Sequence, residues 1–274
     1  MLMIDMIVLF IVLLLFVLYT LSTMGRRGQP GFEKFRGYFY AHRGLHGKGI
    51  PENSMLAFRK AKEAGYGIEL DIHLLKDGDL AVIHDSALKR TTGQEGIVED
   101  LTGEDLKKYF LEDTLETIPL FSQVLELYKG SAPLIVELKC VGNNYVALCK
   151  KACQMLDEYQ GLYCLESFDP RCIHWLKNNR PDLIRGQLSE NYFHSPGCKL
   201  PWILKVALSF QMMNFWVMPD FVAYRFRDRV HPSNWFSRKF WKLHGVSWTL
   251  KNQQELDEAL ADHCLPIFES FIPQ

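Results

Sequence analysis

Apolar positions follow two different patterns along this chain, and the first is a continuous run at the N-terminus. Residues 6–21 read MIVLFIVLLLFVLYTL, and Asp5 and Tyr19 are the only ionisable side chains within residues 1–24. A bilayer core needs about 20 mostly apolar residues in helical form, so residues 1–24 predict a transmembrane anchor. A buried core helix would show a polar face, which is missing here. A cleaved signal peptide is the stronger alternative, but such peptides carry positive charge before the apolar run.

After residue 36 the pattern changes to short apolar runs that alternate with helical periodicity. The runs predict strands at residues 38–41, 67–72, 134–138, 162–168, 183–188, 221–224, 245–250 and 266–268. Helices are predicted at residues 54–64, 144–159, 170–179 and 253–262. Strands that alternate with helices pair in parallel, and about eight such units close into an α/β TIM barrel, (β/α)₈. The predicted domains are an anchor at 1–24, a Gly- and Pro-marked linker at 25–36 and the barrel at 37–274.

Two stretches break this alternation. Residues 86–119 are polar and rich in turn residues, which predicts an excursion from the barrel. Residues 201–219 are apolar and aromatic, with Lys205 as their only charge. This second stretch has two interpretations: a buried helix of the barrel, or an apolar cap beside the active-site mouth that contacts lipid or an acyl chain.

Charge and cysteine content narrow the cellular setting. The 31 basic and 32 acidic residues give a formal charge of −1. This balance does not produce the positive field that attracts nucleic acid, so a nucleic-acid partner is not predicted. The seven cysteines are odd in number and lack metal-ligand spacing, which favours reduced thiols. Positive charges follow the apolar segment at Arg26, Arg27, Lys34 and Arg36. The positive-inside rule therefore predicts a single-pass protein of the cell membrane with its catalytic domain in the cytoplasm.

Three carboxylates occupy alternate positions on predicted strands. In GIELDIHLLKDG, Glu69 and Asp71 share one face of the strand, and in APLIVELKC the same alternation places Glu137 beside Lys139. The C-terminal ends of barrel strands form the active-site rim. Three carboxylates gathered there would repel one another, so we predict a divalent metal, Mg²⁺ or Ca²⁺, as cofactor.

Two histidines end apolar runs in the motifs AHRG and AVIHD, at His42 and His84. A single histidine of this kind is more often structural. A pair that opens onto one rim suits an acid and a base on opposite sides of a scissile bond.

Together these motifs resemble the glycerophosphodiester phosphodiesterases, in particular a bacterial, membrane-anchored member. The matching motifs lie in the family's order over residues 40–250: AHRG, PENSMLAFRKAKEAG, IELDIHLLKDGDLAVIHD, LKRTT, IVELK, ESFDP and VSWTL. The resemblance implies a TIM barrel in which His42 and His84 form the general acid/base pair. It also implies that three residues bind the metal: Glu69, Asp71 and Glu137.

The same resemblance implies the remaining site residues and the reaction. Arg43 and Lys139 would contact phosphate, Glu52 would support the site, and Trp248 would flank the glycerol. The implied reaction is hydrolysis of glycerophosphodiesters to glycerol 3-phosphate and an alcohol, with water or an internal hydroxyl as the nucleophile. One alternative is lysophospholipase D-like cleavage of membrane lysophospholipids, which the anchor and residues 201–219 favour. An alternative of another class is a catalytically silent, membrane-bound binding module.

Overall fold

The computed structural model describes residues 2–274, in which eight parallel strands close into a barrel. The strands of the barrel are β1 Tyr40–His42, β2 Gly67–Leu74, β4 Leu134–Leu138, β5 Tyr163–Ser167, β6 Arg185–Ser189, β7 Phe221–Arg225, β8 His244–Leu250 and β9 Cys264–Phe268. Closure is made by β1, which pairs with both β2 and β9. The predicted TIM barrel is therefore confirmed.

Helices separate the strands and cover the outside of the barrel. They are α1 Leu2–Ser22, α2 Met55–Glu63, α3 Lys89–Thr92, α4 Phe121–Tyr128, α5 Tyr145–Asp157, α6 Pro170–Asn179, α7 Trp202–Ser209, α8 Asn214–Val217, α9 Pro232–Trp235 and α10 Gln253–Ala261. A π-helical turn, Phe236–Phe240, follows α9 directly. Ser54 caps α2 by accepting a hydrogen bond from the amide of Ala57 at 3.1 Å, and Asp169 and Asn252 cap α6 and α10 in the same way.

Alternation along β2 positions the chemistry. Ile68, Leu70 and Ile72 are fully buried in the outer core between barrel and helices. Because successive side chains of a strand point to opposite faces, Glu69 and Asp71 point into the barrel, as the sequence predicts.

Aromatic residues close the N-terminal end of the barrel. Residues Pro30–Phe35, placed in the linker by the sequence, form a 3₁₀ helix. Its Phe32 and Phe35 are fully buried and join the inner core with Phe221. Arg26 pairs with the buried Asp220 through two hydrogen bonds of 2.5 and 2.7 Å. This end of the barrel is therefore closed by aromatic packing and holds a buried ion pair.

The excursion at residues 86–119 contains short turns of helix over a separate hydrophobic cluster. The strand before His84 is β3, Leu80–Val82, which pairs antiparallel with β2 and adds no strand to the barrel. The sequence predicts that this strand opens onto the rim in the same way as β1. Instead β3 extends β2 as an antiparallel strand, and His84 reaches the rim on the loop that follows β3.

Residues 191–219 form α7 and α8 beside the barrel. Trp202, Ile203 and Phe215 are each more than half exposed, so the interpretation as a buried barrel helix is wrong. The other interpretation, an apolar cap, is compatible with this exposure.

The N-terminal helix α1 stands away from the barrel over most of its length. Residues 3–18 are exposed, and Met3–Ser22 is long and apolar enough to cross a membrane, a criterion that a signal sequence also meets. Its last turn and the residue that follows are different, because Thr20 and Thr23 are buried. The Trp241 indole donates a 2.7 Å hydrogen bond to the carbonyl of Thr20, so this turn is part of the barrel's packing.

Candidate active site

Four carboxylates meet inside the C-terminal end of the barrel. Strand register places Asp71 beside Glu137 and Glu137 beside Glu166 on the neighbouring strand, and Glu69 lies one inward position before Asp71. Oxygen atoms of Glu69, Asp71 and Glu137 lie within 4.8 Å of one another. All four side chains are buried, so the site concentrates negative charge away from water.

Two cations lie among these carboxylates. Lys139 Nζ is 2.9 Å from Asp71 Oδ1 and 2.8 Å from Glu137 Oε2. Arg43 Nε is 3.4 Å from Asp71 Oδ2, and the Arg43 amide donates to Glu69 Oε2 at 3.2 Å. The predicted phosphate-binding residues therefore share one cluster with the predicted metal ligands.

The pKa values in the cluster move in opposite directions. Burial, together with Asp71 and Glu137, raises the pKa of Glu69 well above its usual range, and burial beside Glu137 does the same to Glu166. Burial also acts against ionised Asp71, but Lys139, His84 and Arg43 outweigh it and hold its pKa well below its usual range. The cluster thus has more carboxylates than its cations can stabilise.

His42, at the end of β1, is fixed by a carboxylate from the far end of the chain. Its Nδ1 lies 2.5 Å from Glu269 Oε2, and Lys251 Nζ holds the other Glu269 oxygen at 2.6 Å. The second ring nitrogen, Nε2, lies 3.8 Å from Glu69 Oε2, on the side of the carboxylate cluster. Burial lowers the pKa of His42 to about 4, so the imidazole is neutral near pH 7 and can accept a proton.

His84 is oriented in a similar manner by its neighbour. Its Nδ1 lies 2.6 Å from Asp85 Oδ1, and this hydrogen bond is the largest influence that lowers the pKa of Asp85. Arg90 joins Asp85 to Glu52 and binds Glu52 through two hydrogen bonds of 2.7 and 3.0 Å. Glu52 also accepts from Arg43 at 2.9 Å, so it links the loops that carry the two histidines.

His73 contacts the loop that carries His84. His73 follows Asp71 at the next position on the same strand face, so the sequence allows it to support the metal ligands but favours a structural or surface position, and the structure places it in the buried interior. Its Nδ1 is 2.5 Å from Glu99 Oε1 in the excursion, and its Nε2 is 3.2 Å from the carbonyl of His84. His73 therefore ties the excursion to the predicted catalytic loop.

Backbone geometry around the AHRG motif explains its glycine. Arg43 and Asn53 have positive φ angles of 54°, and Gly44 has a φ of 80°. A Cβ on Gly44 would lie 2.8 Å from the Cβ of Ala57, so glycine permits both the turn and the close approach of α2. The turn brings Asn53 to Asp71, whose Oδ2 accepts a 2.8 Å hydrogen bond from Nδ2.

The cavity above the carboxylates has one apolar wall. His42 and His84 line it together with Phe168, Leu188 and Trp248. The Trp248 indole donates a 3.0 Å hydrogen bond to the carbonyl of Ala223, and its ring packs edge-on against Phe168 with 5.5 Å between centroids. Trp248 is thus a fixed wall of the cavity, in the position expected of a residue that flanks the substrate.

All nine residues predicted for the site lie in this region, but sequence reasoning assigned no role to four others that lie beside them. Glu166 lies in the ESFDP motif, and its inward position on an apolar strand could have revealed it in the same way as Glu137. Asp85 and Asn53 lie directly beside predicted residues. Glu269 directly follows the predicted strand at residues 266–268, which could have placed it at the rim, but its pairing with His42, 227 residues away, had no local signal.

The residues present fit a divalent cation. Four buried carboxylates, Glu69, Asp71, Glu137 and Glu166, face the two cations Arg43 and Lys139, a difference of two negative charges if all are ionised. A divalent cation supplies those two positive charges, and carboxylate oxygens are the ligands that Mg²⁺ and Ca²⁺ prefer. The raised pKa of Glu69 is consistent with the excess of negative charge at the site.

Comparison with known proteins gives the family. The sequence model of the Glycerophosphoryl diester phosphodiesterase family matches residues 42–215. A glycerophosphodiester phosphodiesterase of Bacillus altitudinis is 42% identical over 175 residues, covering 60% of this chain and 71% of the relative. One from Caldanaerobacter subterraneus is 35% identical over 195 residues, covering 66% of this chain and 78% of the relative.

A solved structure shares the fold. It is that of an Oleispira antarctica phosphodiesterase in complex with its product sn-glycerol-3-phosphate, with a TM-score of 0.69, 19% identity, and coverage of 87% of this chain and 94% of that one. The chain belongs to the glycerophosphodiester phosphodiesterase family and is a phosphoric diester hydrolase.

Proposed function

We propose that the protein is a membrane-anchored, metal-dependent enzyme that hydrolyses glycerophosphodiesters to glycerol 3-phosphate and an alcohol. The observation that carries this proposal is the meeting of three carboxylates, two cations and two histidines around one cavity. A structural ion-pair cluster would not need two histidines, each held at Nδ1 by its own carboxylate.

The metal ligands in this proposal are Glu69, Asp71 and Glu137. When bound there, Mg²⁺ or Ca²⁺ supplies positive charge that polarises the phosphate and offsets the charge of the transition state. Glu166 lies beside Glu137 and adds negative charge that strengthens the preference of the cluster for a cation.

Arg43 and Lys139 hold the phosphate in place. Each is fixed by carboxylates before substrate arrives, Arg43 by Glu52 and Lys139 by Asp71 and Glu137. Cations fixed in advance need no reorganisation as negative charge grows on the phosphate oxygens. Trp248 and Phe168 form the apolar wall against which the glycerol carbons lie.

The two histidines move the protons. One accepts the proton of the attacking oxygen, and the other donates a proton to the oxygen that leaves phosphorus. Glu269 and Asp85 fix the ring orientations, so that Nε2 of each histidine is the atom left free for proton transfer.

Paired histidine variants test these roles. His42→Ala and His84→Ala should each reduce kcat on glycerophosphocholine by about 10²–10⁴-fold, with little change in metal affinity. A phosphodiester with p-nitrophenol as its leaving group needs no proton donor, so it should restore the rate of the variant that lacks the acid. Near wild-type turnover by either variant would make that histidine structural.

The reaction itself is tested with purified full-length protein and glycerophosphocholine. We expect release of glycerol 3-phosphate and choline, loss of turnover in EDTA, and recovery on addition of Mg²⁺ or Ca²⁺. Full activity after chelation would overturn the metal assignment, and failure to release choline under all metal conditions would overturn the proposed reaction.

For the membrane, we propose that α1 is an uncleaved anchor and that the barrel lies in the cytoplasm. Exposure of residues 3–18 and the cations Arg26 and Arg27 support this placement. The last turn of α1 also supports an uncleaved helix, because Thr20 is buried and its carbonyl accepts a 2.7 Å hydrogen bond from the Trp241 indole.

Protease treatment of intact and permeabilised cells tests this placement. The barrel should survive in intact cells and be digested after permeabilisation, and the purified protein should retain its first residues on N-terminal sequencing. Digestion in intact cells would reverse the orientation, and a mature protein that starts after residue 22 would make α1 a signal peptide.

A further inference from the structure

An apolar groove of about 720 Å³ lies beside the active-site cavity, a volume within the range of about 300–1,000 Å³ that is usual for small-molecule sites. We call it the side groove. Apolar side chains from the β5–α6 loop and from helices α7 and α8 form most of its surface: Phe168, Leu204, Ala207, Leu208, Met213 and Trp216.

The side groove meets the active site at Phe168. This ring lines both cavities and packs edge-on against Trp248 on one side and Tyr192 on the other. Trp248 lies in the predicted glycerol position. An alkyl chain carried on the glycerol would therefore pass Phe168 and enter the side groove while the phosphate lies at the carboxylates.

The charged side chains around the side groove are already paired. Asp169 lies 2.6 Å from Arg171, which also donates to Asn143 at 2.9 Å, and Glu190 lies 2.5 Å from Arg225. These pairs neutralise one another's charge, so they favour an apolar occupant over an ionic one.

The outer wall of the side groove also connects to α1. Helix α8 packs against α1, and Phe210, which follows α7, lies edge-on to Tyr19 with 6.2 Å between ring centroids. Trp202 and Ile203, at the start of α7, are exposed to solvent. A chain held in a bilayer by α1 would thus bring this wall close to the lipid surface.

We propose that the side groove binds the acyl chain of a lysophospholipid, a glycerophosphodiester with a single acyl chain. This inference rests on the proposed phosphodiesterase function and extends its substrate class to lipids. Water adds to phosphorus, and the bond from phosphorus to the headgroup oxygen breaks. The products are acylglycerol phosphate and the headgroup alcohol, which takes one hydrogen of the water.

A series of lysophosphatidylcholines tests the proposal. The full-length protein in nanodiscs is assayed on glycerophosphocholine and on chains of six to twelve carbons, each kept below its micelle concentration. Burial of a methylene group is worth about 0.8 kcal/mol, so kcat/KM should rise roughly fourfold per added carbon over the shorter chains. If glycerophosphocholine is hydrolysed but kcat/KM does not rise with chain length, the proposal that the side groove binds an acyl chain is wrong. The proposed phosphodiesterase function is then unaffected.

A groove-filling variant locates the effect. Ala207→Trp places an indole in the side groove, and Ala261→Trp makes the same exchange at an exposed position on α10. Ala207→Trp should flatten the chain-length dependence and lower kcat/KM on the twelve-carbon substrate by about tenfold or more, with glycerophosphocholine turnover unchanged. The control should behave as wild type.

Other outcomes would contradict the proposal that the side groove binds an acyl chain. An equal loss on both kinds of substrate, or an undiminished chain-length dependence in Ala207→Trp, would overturn the proposal. If Ala207→Trp does not fold, Leu204→Gln provides the same comparison, because Leu204 lines the groove and is already partly exposed. Failure of the wild type on every substrate, glycerophosphocholine included, would overturn the proposed function as well.

Discussion

The two ends of the barrel differ in how far cations and hydrogen bonds compensate their buried carboxylates. At the N-terminal end, Asp220 is fully buried, but Arg26 binds both of its oxygens and the amide of Arg185 donates to it at 2.9 Å. At the C-terminal end, carboxylates outnumber cations, and the pKa of Glu69 and that of Glu166 are raised well above their usual range.

This difference indicates that the buried charge at the N-terminal end is structural, whereas the carboxylate cluster at the C-terminal end is functional. A buried ion pair with complete hydrogen bonding is self-sufficient, and removing one partner destabilises the fold. A cluster of like charges destabilises the fold unless a ligand compensates it, so its presence indicates a binding site. Substitutions at the two ends should therefore have opposite effects on stability and activity.

The largest expected effect is at the C-terminal end. Glu69→Gln removes a metal ligand and should lower kcat/KM on glycerophosphocholine by about 10³-fold or more, since several kcal/mol of transition-state stabilisation are lost. In EDTA the melting temperature should stay the same or rise, because one of the repelling charges is gone. The exposed Glu33→Gln is the control. A lower melting temperature of Glu69→Gln in EDTA would break the comparison between the two ends.

The next effect is at the N-terminal end. Arg26→Ala removes the two hydrogen bonds that Arg26 makes to the buried Asp220 and should lower the free energy of unfolding by up to about 3–5 kcal/mol, while kcat below the melting transition stays unchanged. Arg36 pairs with Glu33 at the surface, so Arg36→Ala should change stability by less than about 1 kcal/mol. Thermal unfolding of both variants measures the difference. A loss of activity without a loss of stability in Arg26→Ala would contradict the structural role.

A smaller effect concerns the orientation of His42. Glu269→Gln keeps an acceptor near Nδ1 but removes the charge, and should lower kcat by about 10–100-fold, the usual cost of losing a residue that orients a site group. KM should change little because Glu269 lies behind the histidine. An unchanged kcat, or an equal loss in a variant at an exposed position such as Glu126→Gln, would show that Glu269 does not position His42.

The smallest effect is the pH dependence of the N-terminal end. His244 stacks on Phe32 with 4.2 Å between ring centroids, and burial lowers its pKa. The unfolded chain, with a histidine pKa of about 6.5, binds this proton more readily. The contribution of the neutral, buried His244 to the free energy of unfolding is therefore complete above about pH 6.5 and declines as the pH falls through that value. His244→Phe should reduce the drop in melting temperature between pH 7.5 and 5.5, and an unchanged drop would contradict this assignment.

The sequence predicted the fold well because the barrel depends on local patterns. Each of the eight predicted strands overlaps an observed strand of the barrel, since apolar runs bounded by turn residues are a local signal. Glu69, Asp71 and Glu137 were found by two-residue alternation, which is local as well.

Contacts between distant residues could not be predicted in this way. Glu269 meets His42 only because β9 pairs with β1 and closes the barrel. Phe32 and Phe35 lie in a stretch that reads as a linker, because its Gly and Pro content conceals two rings that fill the end of the barrel. The exposure of α7 depends on its neighbours, so composition alone left two interpretations open.

Direct metal binding tests the central claim, that the excess of carboxylate at the C-terminal end is a divalent cation site. Chelator-treated wild type and Glu69→Gln are titrated with Mg²⁺ and with Ca²⁺ by calorimetry, and their melting temperatures are recorded with and without the ion. The wild type should bind an ion and gain melting temperature, whereas Glu69→Gln should bind far more weakly and gain little. Equal binding by the two proteins, or no binding by the wild type, would contradict the account.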